Sequence, residues 1–138
     1  MANSYMVSMP ATTFSAIASG AISAGDLVAS ASSDDVMTAI SDAGYSEDDV
    51  KVKTATNSDD AIIVGVAITD AANGERVSVA TSGLFIFKSG AAVTAGAEVS
   101  QETTAQKVED STNALYSIGR ALTGASAADK YVLIKLNL

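Results

Sequence analysis

AIIVGVAITDAANGERVSVATSGLFIFKSGAAVTAGAEV, residues 61–99, reads as three strand-like segments joined by glycine-containing turns. Ile62, Val64, Val66 and Ile68 alternate with Ile63, Gly65 and Ala67, the period of a strand. After Ile63 the second set is small, which lets another backbone approach closely. TDAANG, residues 69–74, reads as a capped helical turn ended by Asn-Gly. Residues 76–81 alternate again and place Val77, Val79 and Thr81 together, whereas residues 84–87 are apolar on both faces.

Parts of this stretch recur at both ends of the chain. AISAGDLV (21–28) matches AVTAGAEV (92–99) with Gly25 aligned to Gly96, and VGVAIT (64–69) matches IGRALT (118–123) with Gly65 aligned to Gly119. Each second element leads into an alanine-rich turn with an acid and a base, Glu75 and Arg76 or Asp129 and Lys130. Two copies of a strand–turn–strand unit predict a mainly β fold, a compact barrel or sandwich with two related halves. The first copy is longer, and the acidic residues 33–49 are the natural place for the insertion.

The remaining chain agrees with a β reading. Leu27 to Ala29 is a short strand after a turn at Ala24–Gly25–Asp26. VKVKTAT, residues 50–56, alternates cleanly, and its lysines suit a sheet edge, where charge discourages unwanted pairing. Residues 100–113 read as a polar hairpin, 115–122 as a strand, and 131–138 as a final strand with Val132, Ile134, Leu136 and Leu138 on one face. Residues 33–49 carry two readings. Ser33 or Asp34 caps a short helix bearing Val36, Ala39, Ile40 and Ala43, or Val36 to Ile40 is a strand followed by an acidic loop. Residues 1–20 hold Tyr5, Met6, Met9 and Phe14 at irregular spacing, which is read as an extended arm or a frayed end. The expected organisation is therefore an arm over 1–20 and one β domain over 21–138, with few short helical turns.

Composition narrows the function. In 138 residues the apolar fraction is 48% but aromatics are only 5%, so the core is aliphatic and partner subunits are expected to add stability. The net charge of −8, with eight scattered Lys and Arg, gives no basic patch for nucleic acid and argues against anionic membranes. Half of the sixteen acids lie between Asp34 and Asp60. There is no cysteine and no histidine, which removes thiolate chemistry and the side chain best suited to proton transfer near neutrality. The amino-terminal residues lack the basic flank and apolar core of a signal peptide, and no apolar run reaches the length of a membrane span. Synthesis in a cytoplasm is the expectation.

No motif supplies a reaction. The acid pairs Asp34/Asp35, Asp48/Asp49 and Asp59/Asp60 read as loop acids or caps, and residues 42–49 lack the ligand spacing of a calcium loop. GAAVTAG, residues 90–96, has no GK[ST] ending and is a turn rather than a phosphate loop. An enzyme is not expected, nor a cofactor or metal. The concentrated aromatic feature is Phe85 and Phe87, which share a strand face that fills a core or meets a partner. With Tyr5, Met6, Met9 and Phe14 they complete the set of candidate subunit or partner contacts.

The order of these motifs resembles a known family. An Ala-Gly-Asp turn before a strand, VGVAITDAANGE (64–75), VSV (77–79), GLF (83–85), VTAG (93–96) and IGRAL (118–122) with a hydrophobic β terminus are similar to the small capsid decoration, or cement, proteins of tailed phages and related viruses. The resemblance spans residues 21–138 and implies a β-rich, commonly trimeric protein on the outside of the virus head. Its implied partner is the major capsid protein, whose lattice such proteins brace. The family has no catalytic residues to carry over, and the acidic insertion departs from its pattern. Two other classes compete: a surface or adhesin-type β binding module, and a head-fibre or tail subunit.

Overall fold

The computed structural model describes residues 4–6, 12–32, 50–101 and 104–138. Eleven strands are present among them: β1 (Ser4–Met6), β2 (Thr13–Ala18), β3 (Leu27–Ser30), β4 (Lys51–Thr54), β5 (Ile63–Ala67), β6 (Arg76–Ala80), β7 (Ser82–Lys88), β8 (Glu98–Ser100), β9 (Glu109–Asp110), β10 (Gly119–Ala121) and β11 (Tyr131–Asn137). Two single 3-10 turns, Asp60–Ile62 and Ala114–Tyr116, precede β5 and β10. The chain is mainly β, as the alternation predicts.

The first half is a closed barrel in the order β2-β4-β3-β5-β6. Every contact is antiparallel except β2 with β4, which run parallel at Ile17–Lys51 and Ala18–Val52. The second half repeats this order. β7 pairs with β11, β11 with β10, β10 with β8 and β8 with β9, all antiparallel, and a parallel bridge from Ser89 to Val108 brings the chain before β9 back to the end of β7. β1 adds an antiparallel strand on the remaining edge of β7, with Tyr5 opposite Ile86.

The sequence repeat is thus a structural one, down to single hydrogen bonds. Ile22 and Ala71 exchange backbone bonds as Val93 and Ala125 do, and the N–H of Gly25 donates to Ala67 O as that of Gly96 donates to Ala121 O, both at 2.7 Å. Both glycines sit at positive φ, 94° and 87°, which explains why that residue type recurs at the turn. The acid–base turn needs a one-residue correction. Gly74 N–H bonds to Ala18 O and Asp129 N–H to Ser89 O, each at 2.8 Å, so Glu75 corresponds to Lys130 and not to Asp129. The halves differ most between β3 and β4, where residues 31–50 stand in place of 101–108. The alternative readings of residues 33–49 lie outside the described residues.

Alternation sorts each strand into an inner and an outer face. Ala16, Ala18, Val28, Val52, Ala67, Val77 and Val79 form one buried cluster inside the first barrel. Phe85, Phe87, Val99, Val108, Ala121, Val132, Ile134 and Leu136 fill the second half. The same second cluster includes Leu27, Ala29, Ala55, Val66 and Ala80 from the outer face of the first barrel, so one core joins the two halves.

Four expectations change. The arm expected over 1–20 does not extend over Thr13–Ala18, a barrel strand whose Ala16 and Ala18 are buried, nor over β1, which pairs with β7; residues 1–3 and 7–11 lie outside the described residues. β4 is no edge: barrel closure puts β2 on one side and β3 on the other, so its lysines mark the outer face and Val52 the inner. The strand over 115–122 is a 3-10 turn followed by the shorter β10. The helical turn over 69–74 is a bridge and a tight turn, since Ala71 is drawn into pairing with Ile22.

Candidate functional site

Burial decides which candidate contacts are available. Phe85 and Phe87 are each 1% exposed, with ring centroids 6.3 Å apart, and pack inside the second half. Their role is to fill the core, and burial leaves them no surface for a partner. Phe14 is half-buried against the first core. Tyr5 and Met6 lie in β1, so this part of the amino-terminal segment pairs with the chain's own β7. Met9 lies outside the described residues.

The acid pair Asp59/Asp60 acts structurally. Asp59 is 6% exposed and accepts bonds from Thr56 N–H at 2.8 Å and Thr56 Oγ1 at 2.9 Å, with Lys53 Nζ at 3.3 Å. The Thr56 amide bond, more than the neighbouring hydroxyl and ammonium, holds its pKa below the ordinary aspartate value against the cost of burial. Asp60 accepts from Gln101 Nε2 at 2.9 Å. Among the described residues no three acids gather to hold a metal.

Two glutamines make a seam that the sequence analysis did not single out. Gln106 Oε1 accepts from Leu27 N–H at 2.6 Å, and its Nε2 donates to Leu27 O and Ala55 O at 2.9 Å. Fully buried Gln101 donates to Thr56 O at 2.7 Å and accepts from Gln106 N–H at 2.7 Å. The connection after β8 therefore supplies the bonding partners for the outer edge of the first barrel, which satisfies backbone groups that its own burial would strand. Gln106 is one of two non-glycine residues at positive φ, 66°, among the described residues. In sequence it is one polar residue among many.

At the surface, the equivalent 3-10 turns lie against each other. They present Leu115, 88% exposed, and Ile62, 44% exposed, beside half-buried Tyr116. An aliphatic side chain as exposed as Leu115 adds little to the core, and contact sites are sought where such side chains stand at the surface. These exposed side chains are the candidate contact surface of the molecule.

The family model described as phage cement protein matches residues 42–136, more than half of the chain. The chain belongs to the phage cement protein family. No curated protein matches it. This cement-family chain is also similar in fold to the head fibre gp8.5 N base of bacteriophage phi29, with a TM-score of 0.58 and 16% identity over 91% of this chain and 93% of that one. The cement match takes in the second half and β4 to β6 of the first. Strands β2 and β3 lie before it, yet they copy β7 and β8 within the same chain. Membership makes the protein a structural component of a phage head.

Proposed function

We propose that this chain decorates the phage head: it binds the outside of the assembled shell, contacts the major capsid protein and stabilises its lattice. The observation that carries the reading is membership of the cement family, with Leu115 and Ile62 exposed on the two neighbouring 3-10 turns as the surface offered. Many copies that bind the assembled shell and not free subunits shift the equilibrium towards the shell by mass action. The protein is made in the host cytoplasm and ends on the virion surface. It works as a homo-oligomer, a trimer by the family resemblance, and without nucleic acid, membrane or enzymatic activity. Residues 1–12, with Tyr5, Met6 and Met9, are the arm that contacts the shell.

Co-sedimentation of the purified protein with expanded heads tests this reading. Saturable binding to heads and none to free capsid subunits is expected; equal affinity for both would end the stabilisation argument. A truncation that starts at Thr12 spares β2 and removes β1 with the rest of the arm, and undiminished occupancy would remove the arm from the account. A second reading, the base of a head fibre, is favoured by the fold shared with the phi29 protein. Recovery of the chain joined to a fibre segment, at few copies per head, would replace decoration with that role.

A further inference from the structure

Asn73–Gly74 is the chain's only Asn-Gly pair, and it stands at the tip of the turn that leads into β6. Glu75 N–H closes this turn on Ala72 O at 3.0 Å, and the Glu75 carboxylate accepts from Ala72 N–H at 2.7 Å. Gly74 sits at φ 83°, an angle that glycine adopts readily. The second half builds the same turn from other residues. Gly74 N–H donates to Ala18 O as Asp129 N–H donates to Ser89 O, so Asn73 corresponds to Ala128. Asp129 takes the positive φ there, 63°. The turn therefore closes without an asparagine or a glycine. What Asn73 adds is a bond of its own, from Gly20 N–H to its Oδ1 at 2.8 Å.

Asparagine is a labile side chain, and glycine after it makes it more so for a steric reason. The backbone nitrogen of the following residue can attack the side-chain carbon, and glycine has no Cβ to obstruct the five-membered ring that forms. Here Gly74 N would lose its proton and bond to Asn73 Cγ. The Cγ–Nδ2 bond breaks, and ammonia leaves with that proton. Water then opens the cyclic imide at either carbonyl, which restores the Gly74 N–H and leaves aspartate or isoaspartate at position 73. Asn73 and Gly74 are both exposed, so water has access.

In the folded chain both reacting groups are engaged elsewhere. The Gly74 N–H is held by Ala18 O at 2.8 Å, and the Asn73 side chain is held by Gly20 N–H. Ala18 ends β2 and Gly20 follows it, so both restraints come from one place outside the turn. Attack needs the side chain to leave Gly20 and the amide to leave Ala18, a local opening of the turn away from β2. We propose that Asn73 is a site of spontaneous modification, converted to aspartate and isoaspartate with water as co-reactant, and that its contacts with the end of β2 set the rate. The isoaspartyl product carries one extra main-chain carbon before Gly74. The Glu75–Ala72 closure and the Gly74–Ala18 bond then no longer fit their present spacing, so a copy that has opened and reacted does not regain the original turn.

Ageing of the full chain in mildly alkaline buffer, folded and in urea, tests this, with aspartyl and isoaspartyl peptides at position 73 separated and counted by mass spectrometry. Conversion should be about tenfold or more slower in the folded chain, a scale set by misalignment of reacting groups. Glu75→Ala removes the acceptor of Ala72 N–H and leaves Asn73 and Gly74 in place. It should raise the folded rate severalfold with circular dichroism unchanged, and leave the rate in urea as it was. If that variant does not fold, Glu75→Gln, which keeps a weaker acceptor, takes its place in the same comparison. Gly74→Ala is compared in urea, where folding is not required, and should slow conversion severalfold because its Cβ obstructs ring closure. Equal folded and unfolded rates overturn the control by β2, as does a folded rate that the change at Glu75 leaves unaltered. No product at position 73 in urea, or undiminished product from Gly74→Ala, overturns the site itself.

Discussion

Asp26 and Asp110 hold equivalent turns from opposite sides. Asp26, in the turn before β3, accepts from Ser23 N–H and Thr54 Oγ1, both at 3.0 Å. Asp110, on β9, accepts from Thr94 N–H at 2.9 Å and Thr94 Oγ1 at 2.8 Å. Ser23 corresponds to Thr94, Thr54 to Asp110 and Asp26 to Ala97, so the carboxylate has moved from turn to strand while the amide it serves has stayed. Asp110→Thr is expected to cost about 1–2 kcal/mol, the scale of a lost charge-assisted bond. Ala97→Asp added to it should recover most of the loss in urea unfolding. No recovery would mean that the two acids are not exchangeable.

Gly65 and Gly119 are needed for space, Gly96 for its backbone angle. A Cβ on Gly65 would stand 2.5 Å from Ala80 O, and one on Gly119 would collide with the backbone of Lys135. Main-chain atoms inside a sheet do not yield, so either Gly→Ala change should cost about 3 kcal/mol, the upper end for overpacking. Gly96 has open space around it but φ of 87°, so Gly96→Ala should cost about 1 kcal/mol. Denaturation midpoints in that order are the check.

Gln106→Ala strands Leu27 N–H and removes a donor from Leu27 O and Ala55 O at a buried seam. The expected loss is about 2–3 kcal/mol, above that of one exposed hydrogen bond. A loss below 0.5 kcal/mol, roughly the scatter of surface substitutions, would show that apolar burial alone joins the halves.

Acid weakens the fold partly through Asp59. Its folded-state pKa lies below the ordinary value, chiefly because the Thr56 amide bonds the charged form. The carboxylate thus contributes stability above the ordinary aspartate pKa, and that contribution fades as pH falls through the lower folded-state value. Asp59→Asn should be less stable than wild type at neutral pH, with the gap narrowing between about pH 5 and pH 2. A gap that is constant with pH would assign the effect to geometry instead of charge.

Leu115→Glu should change stability by no more than about 0.5 kcal/mol, because the side chain is 88% exposed. Head occupancy in co-sedimentation should fall about tenfold or more, on the scale of a central contact residue. Full occupancy would move the shell contact elsewhere on the surface.

Much of this molecule was legible in the chain. Strand alternation at 62–68, 76–81 and 131–138 reports which side chains point inward, because the pleat repeats every two residues. Gly25 and Gly96 marked equivalent turns because few residues tolerate their backbone angle. Contacts between distant segments were not legible. Nothing local to VKVKTAT says that β2 will lie parallel beside it and close the barrel, and nothing local to Gln106 says that it will meet Leu27. Phe85 and Phe87 suited a core or an interface, the core being favoured, since both burials need an apolar strand face, and the structure places them in the core.

By itself, then, the sequence determined a duplicated β architecture, because period and turn chemistry are properties of neighbouring residues. Only the tertiary structure decided that the two halves share one core, which buries Leu27, Val66 and Ala80 of the first barrel's outer face while Arg120 and Lys135 at the equivalent places in the second half stay exposed. That outcome depends on which surfaces remain after each half has closed on itself, and closure is set by pairings between residues far apart in the chain.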